Sequence, residues 1–237
     1  MSDGIYVSMN GAAARMEQLD SVSDNLANAQ TPGFKAERPA FEAFLANGDD
    51  KGSATKVYAA AVSTQVDLSA GQVVQTGDMM DVLPSGRSFL GVQTSNGIAL
   101  TRAGHLTVDA NGTLTAAGHP VVDTEGQPIV APVGTVVSVQ PSGTVYANEI
   151  RIGEIGRFDV TGPVDRIAPS LVAPHDQKQL TASTDTLRVG TMETSNSSAL
   201  EAAVQMITAQ RHFDASIQAL QTYKKLDEKA TDVGRIR

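Results

Sequence analysis

Four histidines and two acidic turns are the residues whose chemistry could extend beyond packing. His105, His119, His175 and His212 carry the only imidazoles in the chain. Imidazoles bind zinc or move protons, but these four do not fall at zinc-ligand spacing and read as turn or surface histidines. Asp109-Ala110-Asn111-Gly112 and Asp123-Thr124-Glu125-Gly126 imitate the opening of a calcium loop. Both lack the bidentate glutamate that closes such a loop, and hairpin turns favour the same residues. The sequons at Asn111 and Asn196 are short polar turns of the kind that arise by chance. The chain has no Gly-x-Ser-x-Gly elbow, no phosphate-binding Gly-Lys-Ser/Thr loop and no dinucleotide fingerprint. No catalytic, cofactor-binding or metal-binding set emerges, and none is expected.

Composition narrows the classes further. The 237 residues include 18 Lys and Arg against 26 Asp and Glu, a net charge of −8. That balance argues against nucleic acid or an anionic membrane as the main partner. Aromatic residues make up 4% and Trp is absent, so stacking platforms for single strands have no material. Cys is absent as well, which removes disulfides, thiolate nucleophiles and cysteine-bound metals. No apolar run reaches the roughly 18 residues of a membrane span, so no direct membrane insertion is expected. Met1 to Gln30 has a single cation, Arg15, and does not read as a secretory signal peptide.

What remains is architecture. From Gly4 to Asn28, Ile5, Ala12, Leu19 and Leu26 recur at spacings of seven, with Met9 and Met16 between them, which is an a/d seam. Asn28 and then Thr31-Pro32-Gly33 end that helix. A second helix is expected from Ser198 to Val233, a stretch without Gly or Pro. Ser198 and Glu201 have capping-box spacing. Leu200, Val204 and Ile207 open its apolar stripe, and Met206, Phe213, Ile217, Leu220, Tyr223 and Leu226 continue it. The middle is rich in Val, Thr, Ile and Gly. Turn dipeptides at Asn96-Gly97, Asn111-Gly112, Glu125-Gly126 and Ser142-Gly143 set the rhythm of successive hairpins.

The expected fold is therefore α+β. Long N- and C-terminal amphipathic helices pair as a coiled coil, with an antiparallel all-β domain inserted between them. The expected divisions are 1–34 for the first helix, 35–77 for an extended connector, 78–173 for the β domain, 174–197 for a returning connector and 198–237 for the second helix. Asn47 to Ser53 is the expected loop tip. A two-helix hairpin hides only one side of each helix, so the apolar seams predict burial between subunits.

At the end of the first helix the residues become specific. Leu19 to Lys35 contains Asn25-Leu26-Ala27-Asn28 followed by Thr31-Pro32-Gly33-Phe34. This resembles the amino-terminal signature of the flagellar basal-body rod, hook and hook-associated family. Phe89-Leu90-Gly91-Val92, Thr101-Arg102-Ala103-Gly104-His105-Leu106 and Gly118-His119-Pro120-Val121-Val122 resemble its β-domain pattern. Glu193-Thr194-Ser195-Asn196, leading into the second helix, resembles its carboxyl end. Length sets aside the shortest rod proteins and the hook proteins, and the opening Gly4-Ile5-Tyr6-Val7-Ser8 with the compact segment after Phe44 is more like the proximal-rod members than the distal ones.

The resemblance implies a structural subunit of the hollow shaft between motor and hook, without catalysis or cofactors. It implies other copies of the chain and neighbouring rod proteins as partners. It also implies passage through the flagellar type III export apparatus to a periplasmic basal body, without a cleaved signal peptide. The assembly interface would comprise Ile5, Met9, Ala12, Met16, Leu19, Leu26, Leu200, Val204, Ile207, Phe213, Ile217 and Leu220. The signature turn would comprise Asn25, Asn28, Thr31, Gly33 and Phe34. The competing reading from helix–β–helix order alone is a secreted β-rich binding module or adhesin with a helical stalk.

Overall fold

The computed structural model describes residues 2–41, 44–45, 57–58 and 62–235, with side chains over 9–38, 64–226, 228 and 229. The chain forms two compact units. One comprises 1–27, 37–65 and 199–237, and the other 28–36 and 66–198.

The first unit is mainly helical. Helix α1 spans Ser2–Ala27 and helix α2 spans Ala199–Arg235. At 1.5 Å per residue these are about 39 and 56 Å long. Pro32, with its fixed φ and missing N–H, lies just beyond the end of α1. Strand Glu37–Phe41 pairs with Val62–Val66, and Phe44–Leu45 pairs antiparallel with Val57–Tyr58. The expected loop tip, Asn47 to Ser53, lies outside the described residues.

The helices are neighbours, but the expected coiled coil is overturned. Such a coil requires the large seam residues to insert as knobs between the helices. Instead Met9 and Met16 are 48% and 56% exposed, and Leu200, Val204 and Ile207 are 78%, 57% and 54% exposed. The faces that α1 and α2 bury carry Ala12, Ala14, Ser21, Val22 and Asn25, and Ala202 and Ala209. Apart from Val22, the side chains fully buried on the helices are small or polar; Leu19, Leu26, Phe213, Ile217 and Leu220 are half-buried, and Met9, Met16, Leu200, Val204 and Ile207 face outward. The heptad records where apolar side chains recur. It does not record which stripe one chain can cover.

The second unit is β-rich, and it is not a single sheet. Five of the seven sheets among the described residues lie in it. The largest has six strands in the order Val164–Ala168, Leu171–Pro174, Gly97–Thr101, Phe89–Thr94, Arg157–Val160 and Leu180–Ala182, with antiparallel pairing throughout. Both of its faces are buried. Leu90, Val92, Ala99 and Leu171 enter one core cluster, and Phe89, Leu100, Phe158 and Val172 enter the other. Alternation along a strand sends successive side chains to opposite faces, so a strand covered on both sides reads as an apolar run. Phe89-Leu90-Gly91-Val92 is that run. Gly91 is required because a Cβ there would lie 2.4 Å from Cε2 of Phe158.

The stretch 174–197, expected as a connector, carries three strands. Leu180–Ala182 pairs with Arg157–Val160, Leu187–Val189 with Val82–Pro84, and Thr191–Glu193 with Val73–Gln75. Each is only three residues long, too short to show a period in the sequence. Leu187 and Glu193 are nevertheless almost fully buried. Limited proteolysis of the monomer should therefore protect a fragment covering 66–198. A stable core ending near residue 173 would contradict the burial of Leu187.

Candidate functional site

The segments that leave α1 and lead into α2 meet inside the β unit, around one carboxylate. Glu193 ends the strand Thr191–Glu193 with its side chain fully buried. Its Oε1 accepts from Nζ of Lys35 at 2.7 Å and from the backbone N–H of Gly71 at 2.9 Å. Its Oε2 lies 2.8 Å from Nε and 2.7 Å from Nη2 of Arg102, a two-pronged contact. The Lys35 and Arg102 side chains are 3% and 5% exposed. Two cations around one anion leave an excess positive charge, and backbone carbonyls absorb it. Lys35 donates to Ser69 O, and Arg102 donates to the carbonyls of Pro84, Ser88 and Gly86.

Burial lowers the ammonium pKa of Lys35, outweighing the hydrogen bond and charge of Glu193, which raise it. For Glu193, burial alone would raise the pKa. Hydrogen bonds from Lys35 and Gly71 and the charge of Arg102 more than offset this and hold it below the ordinary carboxylate value.

The signature turn wraps this cluster. Thr31 N–H donates to the Asn28 carbonyl at 3.0 Å, and the Thr31 hydroxyl donates to Asn28 Oδ1 at 3.1 Å. Gly33 N–H donates to the Glu193 carbonyl at 2.9 Å. Gly33 has φ +68°, and a Cβ there would sit 2.2 Å from the Ala103 nitrogen, so both conformation and space demand glycine. Phe34 is fully buried, with the Arg166 guanidinium 4.8 Å from its ring centroid. Asn196 Oδ1 accepts from Ala36 N–H at 2.7 Å, and its Nδ2 donates to the Asp67 carbonyl at 2.8 Å. In the helical unit, buried Asn25 grips the backbone of Glu37 twice, donating to its carbonyl at 2.7 Å and accepting from its N–H at 3.0 Å. A side-chain amide pairing with both groups of one residue imitates a β-ladder partner.

The other sequence candidates are dispersed. Ile5 lies in α1, with its side chain outside the described residues. Ala12 is buried, Leu19 and Leu26 are half-buried, and Met9 and Met16 are exposed. On α2, Phe213, Ile217 and Leu220 are half-buried, whereas Leu200, Val204 and Ile207 are exposed. His105 Nδ1 lies 2.6 Å from Asp81 Oδ1, and His175 Nε2 lies 2.9 Å from Asp165 Oδ1. The two calcium-like turns spend a carboxylate oxygen on their own backbone. Asp109 Oδ1 accepts from the N–H groups of Asn111 and Thr113, and Asp123 Oδ1 from those of Glu125 and Gln127. The roles of Lys35, Arg102 and Glu193 escaped sequence reasoning. Each lies inside a family-like motif, but no local pattern links residues 91 and 158 positions apart.

Replacing Glu193 by Gln strands two buried cations and should cost about 3–5 kcal/mol. At 2–4 °C per kcal/mol for a chain of this size, the midpoint should fall by about 10 °C. The pH dependence follows from the sign of the Glu193 shift. Its stabilisation is full above the unfolded carboxylate pKa and is lost as pH falls through the lower folded value. Glu193→Gln should flatten that acid limb in thermal melts. An unchanged midpoint and acid limb would remove the ion cluster from its central place.

Comparison with known proteins agrees with this geometry. Residues 5–35 match the family described as flagella basal body rod protein, and residues 188–233 match the flagellar basal body rod FlgEFG protein C-terminal family. These two segments contain Lys35 and Glu193. The flagellar basal-body rod protein FlgF of Rhizobium meliloti is 31% identical, with 90% of each chain covered. That of Escherichia coli is 30% identical over 93% of each chain. The rod protein FlgG of Bacillus subtilis matches at 25% identity, over 99% of this chain and all of its own. These matches give no support to the adhesin alternative. The chain belongs to the flagellar basal-body rod protein family, resembling its FlgF members over nearly its whole length, and is a structural subunit of the rod, not an enzyme.

Proposed function

We propose that this subunit builds the proximal part of a hollow shaft by packing its outward-facing helical stripes against other copies of itself and against neighbouring rod proteins. We further propose that it reaches the basal body through the flagellar type III apparatus, without a cleaved leader. Family membership already implies assembly with other rod components. The observation that carries the finer reading is the exposure of Leu200, Val204 and Ile207 on α2, opposite in character to buried Ala202 and Ala209. Burying a large aliphatic side chain contributes about 1.5–3 kcal/mol, and every subunit repeats the contribution. A stripe left in water in one chain and buried in the assembly favours polymer over monomer. Met9 and Met16 on α1 extend the same reading, and half-buried Phe213, Ile217 and Leu220 complete it.

The test is Val204→Asp on the chromosome. Val204 is 57% exposed, so the isolated chain should keep its thermal transition and be secreted normally. In an interface the carboxylate would have no partner and would cost several kcal/mol or shift its pKa to avoid ionising. Basal bodies with rods should therefore be lost, and swimming with them. Normal rods from a well-expressed, exported Val204→Asp protein would overturn the interface.

A further inference from the structure

We propose that Met9 and Met16 form a redox-modification site at which peroxide blocks the free subunit from assembling, and which incorporation into the rod then shields. The inference rests on the reading that the outward stripe of α1 is buried in the rod. The chain has no Cys, so thioethers are its only sulfur groups. Met9 and Met16 are 48% and 56% exposed, and lie seven residues apart on α1. Two turns of helix bring them to nearly the same face. The described residues contain one other exposed methionine, Met79, at 65% in the β unit, whereas Met80, Met192 and Met206 are half-buried.

The chemistry needs only a peroxide. The thioether sulfur attacks one peroxide oxygen. An S–O bond forms, the O–O bond breaks, and the leaving oxygen departs as water. Sulfur is oxidised and peroxide reduced, and a sulfoxide reductase reverses the change. The product is a polar, chiral side chain where the seam requires a flexible apolar one. In water it is tolerated, so the free chain stays folded. In a closely packed interface its oxygen would need a hydrogen-bond donor that an apolar neighbour does not offer. Once the face is covered, the same sulfurs are out of reach. Vulnerability is thus confined to the interval between synthesis and incorporation.

The experiment exposes secreted free chain and purified basal bodies to hydrogen peroxide and follows each methionine by peptide mass. In the free chain, Met9 and Met16 should oxidise at a rate comparable to Met79. In basal bodies they should slow by roughly tenfold or more, because susceptibility follows exposure. A second arm gives cells a peroxide pulse before rod assembly. It compares the wild-type strain with Met9→Leu/Met16→Leu, a volume-conserving pair, and with Met79→Leu, each scored against its own unpulsed culture. The double variant should resume forming basal bodies sooner than wild type, and Met79→Leu should not. If Met9 and Met16 oxidise in basal bodies as fast as in the free chain, both this proposal and the buried-stripe reading fall. If they are shielded but the double variant gains nothing, the oxidation proposal falls and the buried stripe stands.

Discussion

Within the β unit, one buried carboxylate held between two buried cations joins three distant parts of the chain, at Lys35, Gly71 and Arg102. Glu193 with Lys35 and Arg102 is not an obvious source of net stability. Removing three charges from water is expensive, and an apolar substitute of equal volume often does as well. What such a cluster supplies is intolerance of alternatives. A lysine and an arginine that are 3% and 5% exposed have no acceptable environment except this one. Gly33 and Gly71 also donate their N–H groups to Glu193, and the Asn196 side chain accepts from Ala36 N–H beside the cluster. The peptide leaving one helix and the peptide entering the other are thereby fixed to the same small volume.

The helices follow a different rule. Much of what they bury is alanine, while Met9, Met16, Leu200, Val204 and Ile207 stay in water, which is not what a self-sufficient helical pair would choose. Ala12, Ala14, Ala202 and Ala209 bury little apolar area each, so the pair within one chain gains little from them. Family membership implies assembly with other rod components, and the exposed aliphatic stripe is the surface we propose for it.

How far the sequence could be read depended on the range of the interaction. Both helices were legible because their period repeats over many residues. The four hairpin turns at Asn96-Gly97, Asn111-Gly112, Glu125-Gly126 and Ser142-Gly143 were legible because each sequence pair carries its own turn chemistry, and reversals occur at all four. The turn at Asn148-Glu149 was not legible. Both residues adopt positive φ, 46° and 72°, without a glycine to announce it. The strands between 180 and 193 are three residues long and are defined by their partners, so nothing local marks them. The inward choice of Ala202 over Val204 was also hidden, because hydropathy ranks Val204 as the better core residue. The signature turn around Gly33 could be recognised as a pattern, yet its cause, the close approach of Ala103, appears only in three dimensions.

The order of events during folding follows from the sequence separations in that ion cluster. Lys35 and Arg102 stand 158 and 91 residues before the carboxylate they require. Contacts so distant are slow to form, because the loop between them must be closed before the contact offers any return. A chain that emerges amino end first can have its first four-fifths present and still hold both cations in water. Strand Val73–Gln75 likewise waits for Thr191–Glu193 to pair with it. The arrival of residue 193 is thus the step that lets the ion cluster close and Val73–Gln75 find its partner.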